Sequence, residues 1–173
     1  IVMVPIRRPH HLPDLTPLYG PSELELALLY RVLDVLLPQA EALGVQLWIE
    51  ALNLCEATLV TTLGHAAEIC RHVASSSLRL MADTFHMNIS EADLVASLEA
   101  AAPYLGHVHL SDSNRQLPGR GHIDFPRIFS TLAEMGYAGY GAIEAMAPAD
   151  LERDTAESLR FLRRAERDVI RNS

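Results

Sequence analysis

Residues 80–90 read LMADTFHMNIS: a short apolar run gives out at Asp83, and His86 follows three residues later. An acid at the end of a buried strand is costly unless something pairs with it, because a charge taken out of water needs a partner. The pattern recurs along the chain. VQLWIE (45–50) ends in Glu50, GHVHLSD (106–112) carries His109 near its end, and YGAIEA (140–145) carries Glu144. With IVMVPI (1–6) ahead of them, these runs read as five strands. Segments of helical period separate them. Helices are expected from Ser22, an N-cap with Glu25 at the capping-box position, to near Gly44, and from about Thr58 to Ala74. Further helices are expected from Ser90, an N-cap with Asp93 three residues on, to about Ala102, then at 125–135 and 149–170.

Strands alternating with helices imply an α/β protein with a parallel sheet and right-handed crossovers. Polar residues at the strand ends separate the two architectures that remain. An open doubly wound sheet binds its ligand at one switch point, whereas in a (β/α)₈ TIM barrel every strand end converges on one axis. Four polar ends on four consecutive strands favour the barrel. Such a barrel takes about 250 residues, and the chain has 173. Residues 1–173 are therefore expected to form a single TIM-barrel domain that is N-terminally incomplete, supplying the C-terminal five βα units. An open array leaves two strand edges to be covered, so a homo-oligomer is expected.

Composition narrows the partners. The chain is 49% hydrophobic and 21% charged with a net charge of −8, a globular balance that offers no basic footprint for nucleic acid. A small-molecule partner is expected instead. No apolar run approaches the roughly 18 residues of a membrane span. Cys55 and Cys70 are isolated thiols and no secretory leader opens the sequence, so a cytoplasmic location is expected.

Glu50, Asp83, His109 and Glu144 together offer three carboxylates and one imidazole. Without a cation, converging carboxylates repel one another and rise in pKa. An oxygen-rich set with one nitrogen suits one divalent cation, Mn²⁺ first with Mg²⁺ or Co²⁺ as alternatives, over a thiolate-type zinc site.

WIEALN (48–53), ADTFHMNI (82–89), HVHLSDSNRQLPGRGHIDF (107–125) and AIEAM (142–146) resemble the successive motifs of the xylose-isomerase-like TIM barrels, and among them the ketose 3-epimerases that act on D-tagatose and D-psicose. The resemblance implies that Glu50, Asp83, His109 and Glu144 bind the metal and that Glu50 and Glu144 double as an acid/base pair. One glutamate would take the C3 proton of a ketose to give a cis-enediolate, and the other would return it on the opposite face. Glu56, His86 and Arg115 match positions that contact the sugar's O1–O3 end. An aldose–ketose or keto-inositol isomerase would use the same metal site, and an inactive fragment or binding protein is a further alternative. An endonuclease IV-type enzyme would need an Asp-x-His pair after His109, where this chain has His122 before Asp124.

Other residues carry weaker expectations. His107 is expected to face the helix layer, opposite to His109, and Trp48 to sit in the core. Phe85 and Met87 are candidates for an apolar wall beside the site. His122 is read as a loop organiser and Asp124 as a helix N-cap, and His10 and His11 as exposed loop residues.

Overall fold

The computed structural model describes residues 1–4 and 23–172. Within them, β1 (Val2–Met3), β2 (Leu47–Glu50), β3 (Leu78–Asp83), β4 (Leu105–Leu110) and β5 (Gly141–Ile143) form one sheet in that order. All neighbours pair in parallel. A doubly wound sheet reverses its strand order at a switch point; here the order never reverses, so each crossover advances the same way, as in an arc of a barrel. The crossovers are α1 (Glu23–Leu43), α2 (Leu63–Val73), the pair α3 (Thr84–Ser90) and α4 (Leu94–Ala101), and α5 (Phe125–Glu134). The helix α6 (Leu151–Asn172) follows β5.

Alternation along each strand sends one set of side chains to the helices and the other to the inner face. Ile49, Leu78, Leu80, Ala82, Val108 and Leu110 join Leu33, Leu63, Ile69, Leu98, Phe125 and Ile128 in one buried core. The inner face then receives Trp48 and Glu50 from β2, Met81 and Asp83 from β3, and His107 and His109 from β4. Leu80 pairs with Leu105 but Met81 pairs with His107, so Gly106 is an extra residue, a β-bulge. A one-residue slip exchanges the faces of a strand. This bulge therefore turns β4 from the core phase of Leu105 to the inner phase of His107 and His109.

His107 consequently does not face the helix layer. Residues two apart on a strand share a face, and the rings of His107 and His109 lie 5.2 Å apart, edge to face. Trp48 is half-buried on the inner face and not in the core, stacked on His107 at 4.6 Å with an interplanar angle of 12°.

Several element ends differ from expectation for local reasons. Ser90 does not cap a helix; it closes α3, while Asp83 caps that helix by accepting from Phe85 N and His86 N. Asp93 caps α4 through Val95 N and Ala96 N. The helix expected from about Thr58 starts at Leu63, because Thr62 caps it by accepting from His65 N and the preceding Thr- and Val-rich run is poorly suited to a helix. Gly44 ends α1 in the left-handed conformation with φ 65°, with Val45 N donating to Ala40 O, the expected stop. The first strand is described only as Val2–Met3, and the Ser22 cap with His10 and His11 lies outside the described residues. No described helix is long and apolar enough to cross a membrane.

A Cβ on Gly106 would lie 2.8 Å from Arg79 Cβ and 2.8 Å from Trp48 Nε1, closer than real contacts allow. Gly106→Ala is expected to lose about 1–3 kcal/mol of stability by overpacking and to shift the emission of Trp48, the chain's one tryptophan. Urea unfolding followed by fluorescence checks this; an unchanged midpoint and spectrum would show that the bulge tolerates a side chain.

Candidate metal centre

The inner-face phase delivers four polar groups to the C-terminal ends of four neighbouring strands. Glu50 is the last residue of β2 and Asp83 the last of β3. His109 sits opposite Asp83 in register, and Glu144 follows β5 directly, its N–H donating to Leu110 O at 3.2 Å. One ligand atom from each lies within 4.8 Å of every other. His109 Nδ1 is 3.2 Å from Glu144 Oε2, 3.9 Å from Glu50 Oε1 and 3.9 Å from Asp83 Oδ2.

Arg115 partly compensates the three acids. Its guanidinium donates to Asp83 Oδ2 at 2.6 Å and to Glu144 Oε2 at 2.6 Å, and it lies over the Phe85 ring, 4.9 Å from the centroid. Reaching that position requires an unusual loop. Arg115 has φ 61°, a conformation uncommon for a residue with a side chain, and its backbone is fixed by Arg115 N to Asp112 O and Met146 N to Arg115 O. The organiser of this loop is Asp112 more than His122. Buried Asp112 accepts from Ser113 N, Gly119 N and Ile123 N, and Gly121 packs so closely that a Cβ would fall 2.2 Å from Asp112 Oδ1. His122 contributes a contact to Ser113 Oγ at 2.9 Å, and Asp124 caps α5 through Arg127 N.

Glu50 feels the charge of Arg115 only at a distance. Its Oε1 is buried with no hydrogen-bond partner among the described residues. Burial first, then the charges of Glu144 and Asp83, push its carboxyl up to about 8. Burial also pushes Asp83 above the usual carboxylate range, with Arg115 working against it. At Glu144 burial acts upward too, but Arg115 and His109 outweigh it and hold the group low. An orphaned buried carboxylate oxygen beside two further acids and an imidazole is short of positive charge. These donors fit one divalent cation of the oxygen-preferring kind.

Residues 8–165 match the xylose isomerase-like TIM barrel family. The chain belongs to that family. A D-psicose 3-epimerase of Ruminiclostridium cellulolyticum is 39% identical over 105 residues, covering 61% of this chain and 36% of that protein. A 3-dehydro-D-guloside 4-epimerase of Escherichia coli K12 is 33% identical over 155 residues, covering 84% of this chain and 58% of that protein. The solved structure of an L-ribulose 3-epimerase superposes with a TM-score of 0.84 at 27% identity, covering 89% of this chain and 58% of that one. This chain spans less than two thirds of the length of each.

Of the residues that the family resemblance put at the sugar's end, His86 and Glu56 lie on the Glu50 flank of the cluster, and Arg115 lies on the flank of Asp83 and Glu144. His86, buried at the start of α3, places Nε2 3.9 Å from Glu50 Oε1 and Nδ1 4.0 Å from Glu56 Oε1. Burial lowers its pKa, which favours the neutral ring. Glu56 accepts from Asn53 Nδ2 at 3.0 Å. Phe85 meets the site through Arg115, whereas Met87 belongs to the buried core and not to an apolar wall. Two features escaped the sequence reading: buried Asn53, and the Trp48–His107 stack lying next to His109 on the inner face. The order E-x-x-N-x-x-E across 50–56 was the available signal for Asn53. A cavity of about 250 Å³ lined by Val108, Leu110, Phe129 and Tyr137 lies on the helix side of β4 and β5, away from these groups.

The unfolded chain releases the Glu50 proton near pH 4.5 and the folded chain near pH 8. Between these values the folded state binds more protons, so stability falls as pH rises, by at most about 1.4 kcal/mol per pH unit. With a chelator present, urea midpoints should drop from pH 5 to 8, and Glu50→Gln should flatten the slope. Excess divalent cation should oppose the drop, since ligands must deprotonate to bind it. Identical pH slopes for the chelated wild type and Glu50→Gln would show that Glu50 is already ionised across this range.

Proposed function

We propose that this chain carries the catalytic site of a divalent-metal-dependent sugar epimerase that inverts C3 of a ketose. The observation that carries the reading is the placement of two glutamates on opposite flanks of one polar cluster. Glu50 comes from β2 and Glu144 from the end of β5, with the strands bearing Asp83 and His109 between them. Inversion of a carbon requires removal of its proton on one face and delivery on the other, hence two groups able to hold a proton across the substrate. Opposing flanks supply that arrangement.

A divalent cation held by Glu50, Asp83, His109 and Glu144, with Mn²⁺ the first expectation, would supply Lewis acidity at the ketone and its neighbouring hydroxyl. The chain's own groups do the rest. One of the two glutamates takes the proton from C3, the electron pair spreads onto the adjacent ketone as a cis-enediolate, and the other glutamate returns a proton to the opposite face. Arg115 presents a fork of donors to the sugar oxygens, and its guanidinium lies over the Phe85 ring, 4.9 Å from the centroid. His86 and Glu56 meet the O1–O3 end as donor and acceptor. Fixed orientation of these groups replaces the strength that a charge-compensated carboxylate lacks as a base.

The match to the E. coli 4-epimerase of a 3-dehydro sugar, which covers 84% of this chain, supports a second reading. The exchange would again occur beside a ketone, at C4 of a 3-keto sugar. An aldose–ketose isomerase would return the proton to the neighbouring carbon instead. The same reading takes a small-molecule sugar as partner, a homo-oligomeric assembly and a cytoplasmic location.

Incubation with Mn²⁺ and a panel of ketoses and 3-keto sugars in D₂O, followed by NMR, separates these readings. Deuterium at C3 with inverted configuration is expected; label at C4 of a 3-keto sugar supports the second reading, label at C1 with an aldose product an isomerase, and no label anywhere a binding role. Glu144→Gln keeps an oxygen ligand and removes a base, so turnover should fall by about 10²–10⁴-fold while a divalent cation still binds. Near-normal exchange in that variant would remove Glu144 from the proton transfer.

A further inference from the structure

Asn53 lies three residues past the end of β2 and is 1% exposed. Its backbone N–H donates to His86 Nδ1 at 3.1 Å, and its side-chain Nδ2 lies 2.8 Å from the same ring nitrogen. A backbone amide has only a hydrogen to offer, so Nδ1 must present its lone pair. A neutral imidazole carries one N–H, which then belongs to Nε2. An imidazolium would point Nδ1–H at two other donors, so the same contacts oppose the charged ring.

The side-chain amide has no freedom to reverse. Asn53 Oδ1 accepts from Cys55 N at 2.9 Å, closing an Asx turn, so Nδ2 is the atom that faces His86 and donates to Glu56 Oε1 at 3.0 Å. One residue thereby orients two groups on the sugar side of the cluster. His86 Nε2 is 3.9 Å from Glu50 Oε1, too long for a direct hydrogen bond and suited to a single bridging oxygen between them.

We propose that Asn53 is a positioning residue that fixes His86 in its Nε2–H tautomer, so that the ring acts only as a donor toward an oxygen bound between His86 and Glu50, and that holds Glu56 beside it. The inference rests on the reading of His86 and Glu56 as substrate contacts. The aspect that concerns Asn53 itself can be tested without turnover.

Long-range proton–nitrogen correlation spectra of histidine-¹⁵N protein loaded with diamagnetic Mg²⁺, with His86 assigned from its loss in His86→Gln, report the tautomer at neutral pH. Wild type should show a bare Nδ1 and a protonated Nε2. Asn53→Asp is nearly isosteric but turns the donor facing Nδ1 into an acceptor. Although the backbone N–H remains, the nearer carboxylate should draw hydrogen onto Nδ1 against it and lower epimerase turnover by about 10²-fold, as loss of orientation can. Asn53→Ala keeps the backbone donor, so it should retain the Nε2–H signature while raising KM as Glu56 loses its anchor. A wild-type spectrum with Nδ1–H would overturn the proposal, as would an Asn53→Asp variant with wild-type tautomer and turnover. Should Asn53→Asp not fold, the wild-type spectrum alone decides the tautomer. Absence of turnover in wild type with the Nε2–H signature present would count against the proposed reaction and leave the role of Asn53 supported.

Discussion

Mutual repulsion of acids is the constraint from which the rest of this site follows. Two unit charges about 4 Å apart repel by about 4 kcal/mol at an effective dielectric near 20. Glu50, Asp83 and Glu144 bring ligand oxygens within 4.8 Å of one another, so all three cannot be ionised together without opposing charge. The chain answers in different ways at each acid. Asp83 Oδ1 is occupied by the N–H groups of Phe85 and His86, leaving Oδ2 to face the centre. Arg115 spans Asp83 Oδ2 and Glu144 Oε2. Burial and the neighbouring acids push the Glu50 carboxyl up to about 8, and its orphaned oxygen marks where positive charge is wanted.

Holding such a group requires a rigid support, and the fold supplies it through strand phase. Helix-side residues from Ile49 to Leu110 are buried in one core, so none of these strands can slip by one residue without exposing its apolar set. The same constraint that protects the core fixes which residues face inward. The bulge at Gly106 is the exception that proves necessary: Leu105 is in core phase, His109 must be in site phase, and an extra residue between them reconciles the two demands. Trp48 packs against the bulge and stacks on His107, which sets the ring next to His109.

The sequence made the strand ends legible because a polar group at the end of an apolar run is a local signal, and four such signals in chain order, three acids and a histidine, imply convergence once the topology is a barrel arc. It also identified Gly44 as a stop and Asp124 as a cap, both local chemistry. What it hid depends on pairing between strands. A bulge is a mismatch between two strands, invisible in either alone. The inward position of His107, by contrast, follows from strand period alone, because residues two apart share a face. Asn53 was hidden for another reason: it closes the motif WIEALN, but its role lies in contacts to Glu56 just past that motif and to a ring 33 residues away, and a lone Asn after a strand reads as a turn residue. The starts expected at Ser90 and about Thr58 moved by a few residues because the helix N–H groups are capped by Asp83, Asp93 and Thr62, while Ser90 Oγ accepts from Leu54 N instead.

Arg115 shows why the site's electrostatics and its loop cannot be separated. A guanidinium reaches both Asp83 and Glu144 only if the loop after β4 folds back over the strand ends. That reversal is held by Asp112, whose buried carboxylate collects three backbone N–H groups, and by a left-handed conformation at Arg115 itself. Strain of this kind, on the order of 1–3 kcal/mol, persists only where surrounding contacts over-determine it. Here they do, since two ion pairs, a ring contact and two backbone hydrogen bonds converge on one residue. The arginine's charge is thus delivered to the two acids nearest β5 and β3, while Glu50, on the far side, keeps its deficit. The cluster is electrically asymmetric: a compensated flank built on Arg115, and an uncompensated flank where Glu50 faces His86, whose ring is turned by Asn53 to offer a hydrogen. An incoming ligand that brings both positive charge and an oxygen would satisfy that second flank at once.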